Sequence, residues 1–179
     1  PHWFGPFIFI ISFLIPNFLC IILNYKDVYN KIMKEISDIN FDIYSKKSYL
    51  HFCVIEHIRL FNTININIPR TVNKDIILEN IKFKKGDQIF MLFSSILRDE
   101  KEFKNPDMYI PERWEDRSIE NQNIVFGVGP QQCPSIQITP FLYKSIIRHL
   151  LSFKYSKVNP KICKKNLYFI NPYDISFSI

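Results

Sequence analysis

Residues Pro1 to Tyr25 contain no Lys, Arg, Asp or Glu and are almost entirely apolar. A run like this has to leave water, either inside a larger fold or in a bilayer, since about twenty apolar residues suffice for a spanning helix. Pro6 and Pro16 would interrupt such a helix, and Asn17 sits within it. The expectation is therefore a buried helix of a larger fold. A membrane anchor over residues 3 to 23 is the competing reading. No basic segment precedes the run, which argues against a signal peptide. The chain starts at Pro1, inside this helical stretch, which suggests a piece of a longer product.

A chain of 179 residues holds one domain or a part of one. With 47% hydrophobic and 22% charged residues it is not a disordered chain. The formal charge of +6 is spread along the chain, at Lys46-Lys47, Lys84-Lys85 and Lys164-Lys165 among others. These pairs suit solvated loops, and a nucleic-acid interface is not expected. Four cysteines occur singly, without metal-finger spacing or a disulfide pattern. Cys20, Cys53 and Cys163 read as buried thiols, and a reducing, intracellular compartment is the default.

Further along, Val28, Ile32, Ile36 and Ile39 recur at helical spacing over Asp27 to Ile39. Tyr49 to Phe61 reads as a second helix. Apolar residues alternate in Ile64-Asn65-Ile66-Asn67-Ile68, a half-buried strand that Pro69 closes. Ile76 to Phe93 suggests a small antiparallel sheet with the turn Lys84-Lys85-Gly86-Asp87 inside it. Arg98 to Asp116 is irregular, and Val125 to Ser135 is a Gly/Pro-rich loop. Phe141 to Phe153 returns to helical spacing, and Asn166 to Ile179 reads as short strands. The expected class is mainly α, of α+β type: helices plus a small antiparallel sheet and a cysteine loop.

Chemistry concentrates in Phe126-Gly127-Val128-Gly129-Pro130-Gln131-Gln132-Cys133. Two glycines and a proline impose a tight turn just before the cysteine. Backbone N–H groups aimed at the sulfur, and the start of a following helix, would stabilise a thiolate there. Glu56 and Arg59 sit three apart on an apolar helix, within ion-pair reach. If buried they need a further partner, and Arg113 in Pro111-Glu112-Arg113-Trp114 is a candidate.

Taken in order, Glu56-His57-Ile58-Arg59, Pro111-Glu112-Arg113-Trp114 and Phe126-Gly127-Val128-Gly129 leading to Cys133 resemble the cytochrome P450 signature. The likeness runs from about Leu23 to Phe153, and Asn24 to Ile36 resembles the helix that follows the family's long central one. It implies the C-terminal part of the cytochrome P450 fold, as one partial domain. Within it lie the end of the central helix and the next helix (1–48), the Glu-x-x-Arg helix (49–61), a small sheet (62–97), a meander (98–124), the cysteine loop and its helix (125–153), and C-terminal strands (154–179). By the same resemblance Cys133 is the axial ligand and sole metal ligand of haem b, iron protoporphyrin IX. Arg70 pairs with a haem propionate, and Phe126, Gly127 and Gly129 shape the cofactor-binding loop. Glu56, Arg59 and Arg113 form a structural triad. The implied function is a haem-thiolate monooxygenase acting on a small apolar organic substrate, served by a redox-partner reductase, with membrane association left open.

The sequence departs from the family pattern at several places. Gln131 stands where a basic residue is usual, Ser135 where glycine is usual, and Pro140 lies where the next helix is established. The family's Ala-Gly-x-acid-Thr segment has its nearest counterpart in Gly5-Pro6-Phe7-Ile8-Phe9-Ile10, which offers neither acid nor Thr; Ser12 is the nearest hydroxyl. No catalytic residue is assigned. Two alternatives follow: a peroxide-rearranging isomerase or dehydratase, and a haem-binding protein without catalysis.

Overall fold

Pro16 does not break the apolar N-terminal run. In this computed structural model, which describes residues 4–61, 68–161 and 172–179, the helix widens instead. Helix α1 (Phe4–Phe9) passes through a π-helical turn (Ile10–Leu14) into α2 (Ile15–Asn24). The Ile15 N–H donates five residues back, to Ile10 C=O. A wide turn of this kind absorbs the missing proline donor without a break. Phe18 through Ile22 of α2 are buried, so this second part of the run forms core, whereas Ile8 and Ile11 are exposed. Phe7–Asn24 is also long and apolar enough to cross a membrane, and half of it is buried within the protein.

The chain forms two compact units, Pro1–Phe61 with Asp107–Ile179, and Asn62–Pro106. In the first, α3 (Lys26–Ile36) buries Val28 and Ile32. Ile39, expected on the same stripe, lies beyond the helix and is 98% exposed. Ser37 Oγ donates to Lys34 C=O, and Asp38 Oδ1 accepts the Asn40 N–H. Such local side-chain bonds stop the helix before Ile39 can join it.

Helix α4 (Tyr49–Leu60) is buried on all sides from Leu50 onward. Ser48 Oγ accepts the His51 N–H, and the Glu35 carboxylate of α3 accepts Tyr49 N–H at 2.6 Å and Leu50 N–H at 2.8 Å. The carboxylate satisfies donors that the helix start leaves open. Helix α7 (Ile138–Leu150) begins three residues before the expected Phe141. Pro140 fits because it lies in the first turn, where the missing N–H has no helical acceptor. Pro140, Tyr143 and Ile147 are buried, together with Lys144, whose Nζ donates to Ser45 C=O at 2.9 Å. Strand β5 (Lys157–Asn159) pairs antiparallel with β6 (Ser176–Ser178). Residues 162–171, and with them Cys163 and the first part of the expected C-terminal strands, lie outside the described residues.

The second unit corrects the expected sheet. Strand β1 (Ile68–Thr71) pairs with β4 (Gln88–Met91), while β2 (Ile76–Leu78) pairs only with β3 (Ile81–Phe83). Glu79 and Asn80 both take positive φ, 47° and 67°, and close a two-residue hairpin. The Lys84–Asp87 turn does not join paired strands. It redirects the chain so that β4 reaches β1, with Val72 N–H bonded to Asp87 C=O and Gly86 N–H to Val72 C=O. Pro69 lies inside β1 rather than closing a strand. Its missing donor is tolerated because β1 has a partner on one side only among the described residues. Residues 62–67 of the expected Ile64–Ile68 strand lie outside the described residues. A short helix α5 (Phe93–Ile96) follows β4.

Candidate functional site

The interior position of α4 dictates what its charged residues do. Glu56 is 0% and Arg59 1% exposed, so each needs a compensating partner. Arg59 Nε and Nη2 donate to Glu56 Oε2 and Oε1, both at 2.9 Å, as a parallel fork. Arg113, on the 3₁₀ turn Pro111–Trp114, adds Nε to Oε1 at 3.0 Å. Trp114 Nε1 donates to Oε2 at 2.9 Å, and the Ile110 N–H donates to Oε1 at 3.0 Å. Arg59 Nη2 also reaches Met108 C=O at 3.3 Å. The carboxylate is thus saturated, and the structure brings Glu56, Arg59 and Arg113 together as one buried cluster. The Trp114 donor has no counterpart in the expected triad, although its residue stands in the quoted motif.

Glu112, next in chain to Arg113, faces outward. Its Oε1 accepts Lys31 Nζ at 2.6 Å and Tyr49 Oη at 2.9 Å. Lys31 also lies over the Tyr49 ring, 5.1 Å from its centroid. The short Pro111–Trp114 turn is therefore gripped on both sides, by α4 within and by α3 and α4 without.

Downstream, a short helix α6 (Ile119–Gln122) and a 3₁₀ turn (Asn123–Phe126) lead into the cysteine loop. Gly127 has φ 76° and Gly129 φ 78°, both in the left-handed region that glycine alone enters freely. A Cβ at Gly129 would meet nothing within 4 Å, so the demand there is conformational rather than steric. Gln132 Nε2 donates to Gly127 C=O at 2.9 Å and clamps the loop. Cys133 N–H donates to Phe126 C=O at 2.9 Å. Phe126 and Cys133 are both half-buried.

The sulfur's surroundings differ from expectation. The expected backbone N–H bonds to Cys133 Sγ are not among the hydrogen bonds of the described residues. Its recorded polar contact is Ser135 Oγ at 3.1 Å, and Thr139 Oγ1 donates to Ser135 Oγ at 3.0 Å. Helix α7 starts five residues after the cysteine. The Gln132 side chain and the N–H groups of Gln132 and Cys133 donate instead to the loop carbonyls of Gly127, Gly129 and Phe126. Nothing in the sequence flagged Thr139, since its role depends on where α7 begins.

The other described cysteines are of another kind. Burial pushes the Cys20 thiol up to about 11, and burial pushes Cys53 well above the ordinary thiol range. Both are inert packing residues. Arg70 lies in β1 of the second unit, half-buried, with Nη1 donating to Pro69 C=O at 2.9 Å. Gln131 is exposed. No three His, Cys, Asp or Glu side chains gather to hold a metal among the described residues. A metal held in a macrocycle needs a single protein ligand. A half-buried thiol on a rigid glycine loop suits that single-ligand duty.

Together these features define a class: a mainly helical protein that presents one cysteine from a glycine loop and holds a buried carboxylate shared by two arginines. The sequence profile described as cytochrome P450 matches residues 12–166, and the chain belongs to that family. The match reaches beyond the Leu23 to Phe153 span at both ends. The chain is 28% identical over 163 aligned residues to probable cytochrome P450 516B1 of Dictyostelium discoideum, covering 77% of this chain and 33% of that protein. It is 31% identical to probable cytochrome P450 555A1 of the same organism, over 73% of this chain and 29% of that one. It is 30% identical to the mitochondrial cholesterol side-chain cleavage enzyme of Hypanus americanus, over 55% of this chain and 20% of that one. The chain thus spans a third or less of the length of these relatives.

Proposed function

We propose that this chain is the haem-binding part of a haem-thiolate oxidoreductase of the monooxygenase type, with Cys133 as the axial ligand of haem b. The carrying observation is the Cys133 loop itself. Cys133 is half-buried, and its loop is shaped by two left-handed glycines and the Gln132 clamp. Family membership supports the cofactor class. When bound, the haem supplies the oxidising chemistry, and the thiolate's electron density favours O–O cleavage.

The chain's residues supply position. Cys133 holds the iron from one side. Phe126, Gly127 and Gly129 fix the loop's path, and Arg70 is the residue that the family resemblance assigns to a propionate. Glu56, Arg59 and Arg113 stiffen the segment that leads to the loop. The substrate is a small apolar organic molecule, and a reductase delivers electrons. Half of the Phe7–Asn24 helix lies unburied, which supports membrane association as part of this reading.

A second reading has one observation of its own. The Gly5 to Ile10 stretch carries no acid and no Thr to relay protons, which favours peroxide rearrangement without external electrons. Turnover assays on the haem-loaded protein separate the two. Oxidation of apolar substrates that requires a reductase is expected. Conversion of an organic hydroperoxide with no reductant present would replace the first reading with the second. Stable haem binding with neither activity would leave a haem-binding protein without catalysis.

A further inference from the structure

Ser135 occupies a position where the family pattern has glycine, and its hydroxyl has a defined place. Oγ lies 3.1 Å from Cys133 Sγ and accepts the Thr139 hydroxyl at 3.0 Å. Thr139 is 5% exposed and sits in the first turn of α7, where its N–H donates to Ser135 C=O at 2.8 Å. Backbone and side chain of Thr139 therefore both hold Ser135. A hydroxyl has one proton to give and two lone pairs to fill. With Thr139 occupying a lone pair, the proton is left for the sulfur. Between a thiol and a hydroxyl either group can donate, but a thiolate only accepts.

We infer that Ser135, oriented by Thr139, is a positioning residue that donates a hydrogen bond to the Cys133 thiolate and so tunes the haem iron bound to it. This rests on Cys133 being the axial ligand. A hydrogen bond to the sulfur withdraws charge from it and weakens its donation to iron. The negative charge on the sulfur is greater in the ferrous state, so the bond stabilises that state more and raises the reduction potential.

The test compares wild type, Ser135→Ala, Ser135→Thr and Thr139→Val in the haem-loaded protein expressed from its complete reading frame. Two quantities are read: the reduction potential and the iron–sulfur stretching frequency by resonance Raman. Ser135→Ala is expected to make the potential more negative, lowering the ferrous-to-ferric ratio at fixed poise by up to about tenfold, and to raise the stretching frequency. Ser135→Thr keeps the hydroxyl and should stay near wild type. Thr139→Val should shift both readouts in the Ala direction by less, and it carries the test if Ser135→Ala fails to load haem. An iron–sulfur band that neither Ser135→Ala nor Thr139→Val moves overturns the inference, as does Ser135→Thr behaving like Ser135→Ala. A wild-type protein with no iron–sulfur band removes the ligand assignment itself, a result distinct from either.

Discussion

Glu56 is the residue on which the local structure depends most. It is fully buried and neutralises two arginines while accepting an indole and a backbone donor. Glu56→Gln keeps the shape but strands both guanidinium groups, so stability should fall by about 3–5 kcal/mol, read from the urea midpoint. Lys31→Ala breaks a shorter ion pair, at 2.6 Å, yet its partners are 53% and 43% exposed. It should cost less than about 1 kcal/mol, because solvent screens such pairs. Equal losses in the two variants would refute this ranking. Two histidines add a pH dependence. Burial lowers His57 to about 3, and burial, with the Lys144 and Lys46 charges, lowers His51 to about 3. Both are neutral in the folded protein, whereas the unfolded chain takes up protons below about 6.5. Their contribution is therefore complete above about pH 6.5 and is lost as pH falls toward about 3, by about 2 kcal/mol per histidine at about pH 5. Denaturation midpoints measured across that range should fall with acid, and less steeply in His57→Gln. The pairing of Glu56 with Arg59 was legible from their spacing, and that with Arg113 from the motif order that resembles the cytochrome P450 signature. Trp114 as a further donor, and the Thr139–Ser135–Cys133 chain, were not. They depend on side-chain directions that only the packed turn and the first turn of α7 fix.

At the scale of elements, helices were more legible than strands. An apolar stripe fixes which face of a helix is buried, so α3, α4 and α7 fall close to their expected spans. The expected small antiparallel sheet is present, but as two separate two-stranded ladders, because period-two alternation identifies strands and not their partners. Pairing was decided by a turn, Glu79-Asn80, that lacks glycine. That turn gives a test: Asn80→Gly should stabilise the β2–β3 hairpin by about 0.5 kcal/mol, seen as slower amide exchange over Ile76–Phe83. Slower exchange on β1 and β4 alone would contradict the observed pairing. The start of α4 gives another. Glu35 satisfies two of its N–H groups from α3, at 2.6 and 2.8 Å, while the Ser48 hydroxyl satisfies one. Glu35→Ala should therefore cost more than Ser48→Ala, about 2 against about 1 kcal/mol, by chemical denaturation. The reverse order would show that the side chain of α3 is incidental to α4.

For the whole molecule, the sequence motifs gave the family and the order of its parts, and the structure gave the means by which they are held. A Glu-x-x-Arg helix, a Pro-Glu-Arg-Trp turn and a glycine loop are distant in sequence. One carboxylate draws the first two together, and two short helical turns, Ile119–Gln122 and Asn123–Phe126, connect them to the loop. Cys133 is set apart from the fully buried Cys20 and Cys53 by its partial exposure. The decisive measurement is the absorption spectrum of the reduced, carbon-monoxide-bound protein, recorded for wild type and Cys133→Ala. The account predicts a thiolate-type Soret band in wild type, and its loss in Cys133→Ala with the far-ultraviolet circular dichroism unchanged. A wild-type spectrum without that band, or a variant spectrum that retains it, would contradict the assignment of Cys133 as the iron ligand.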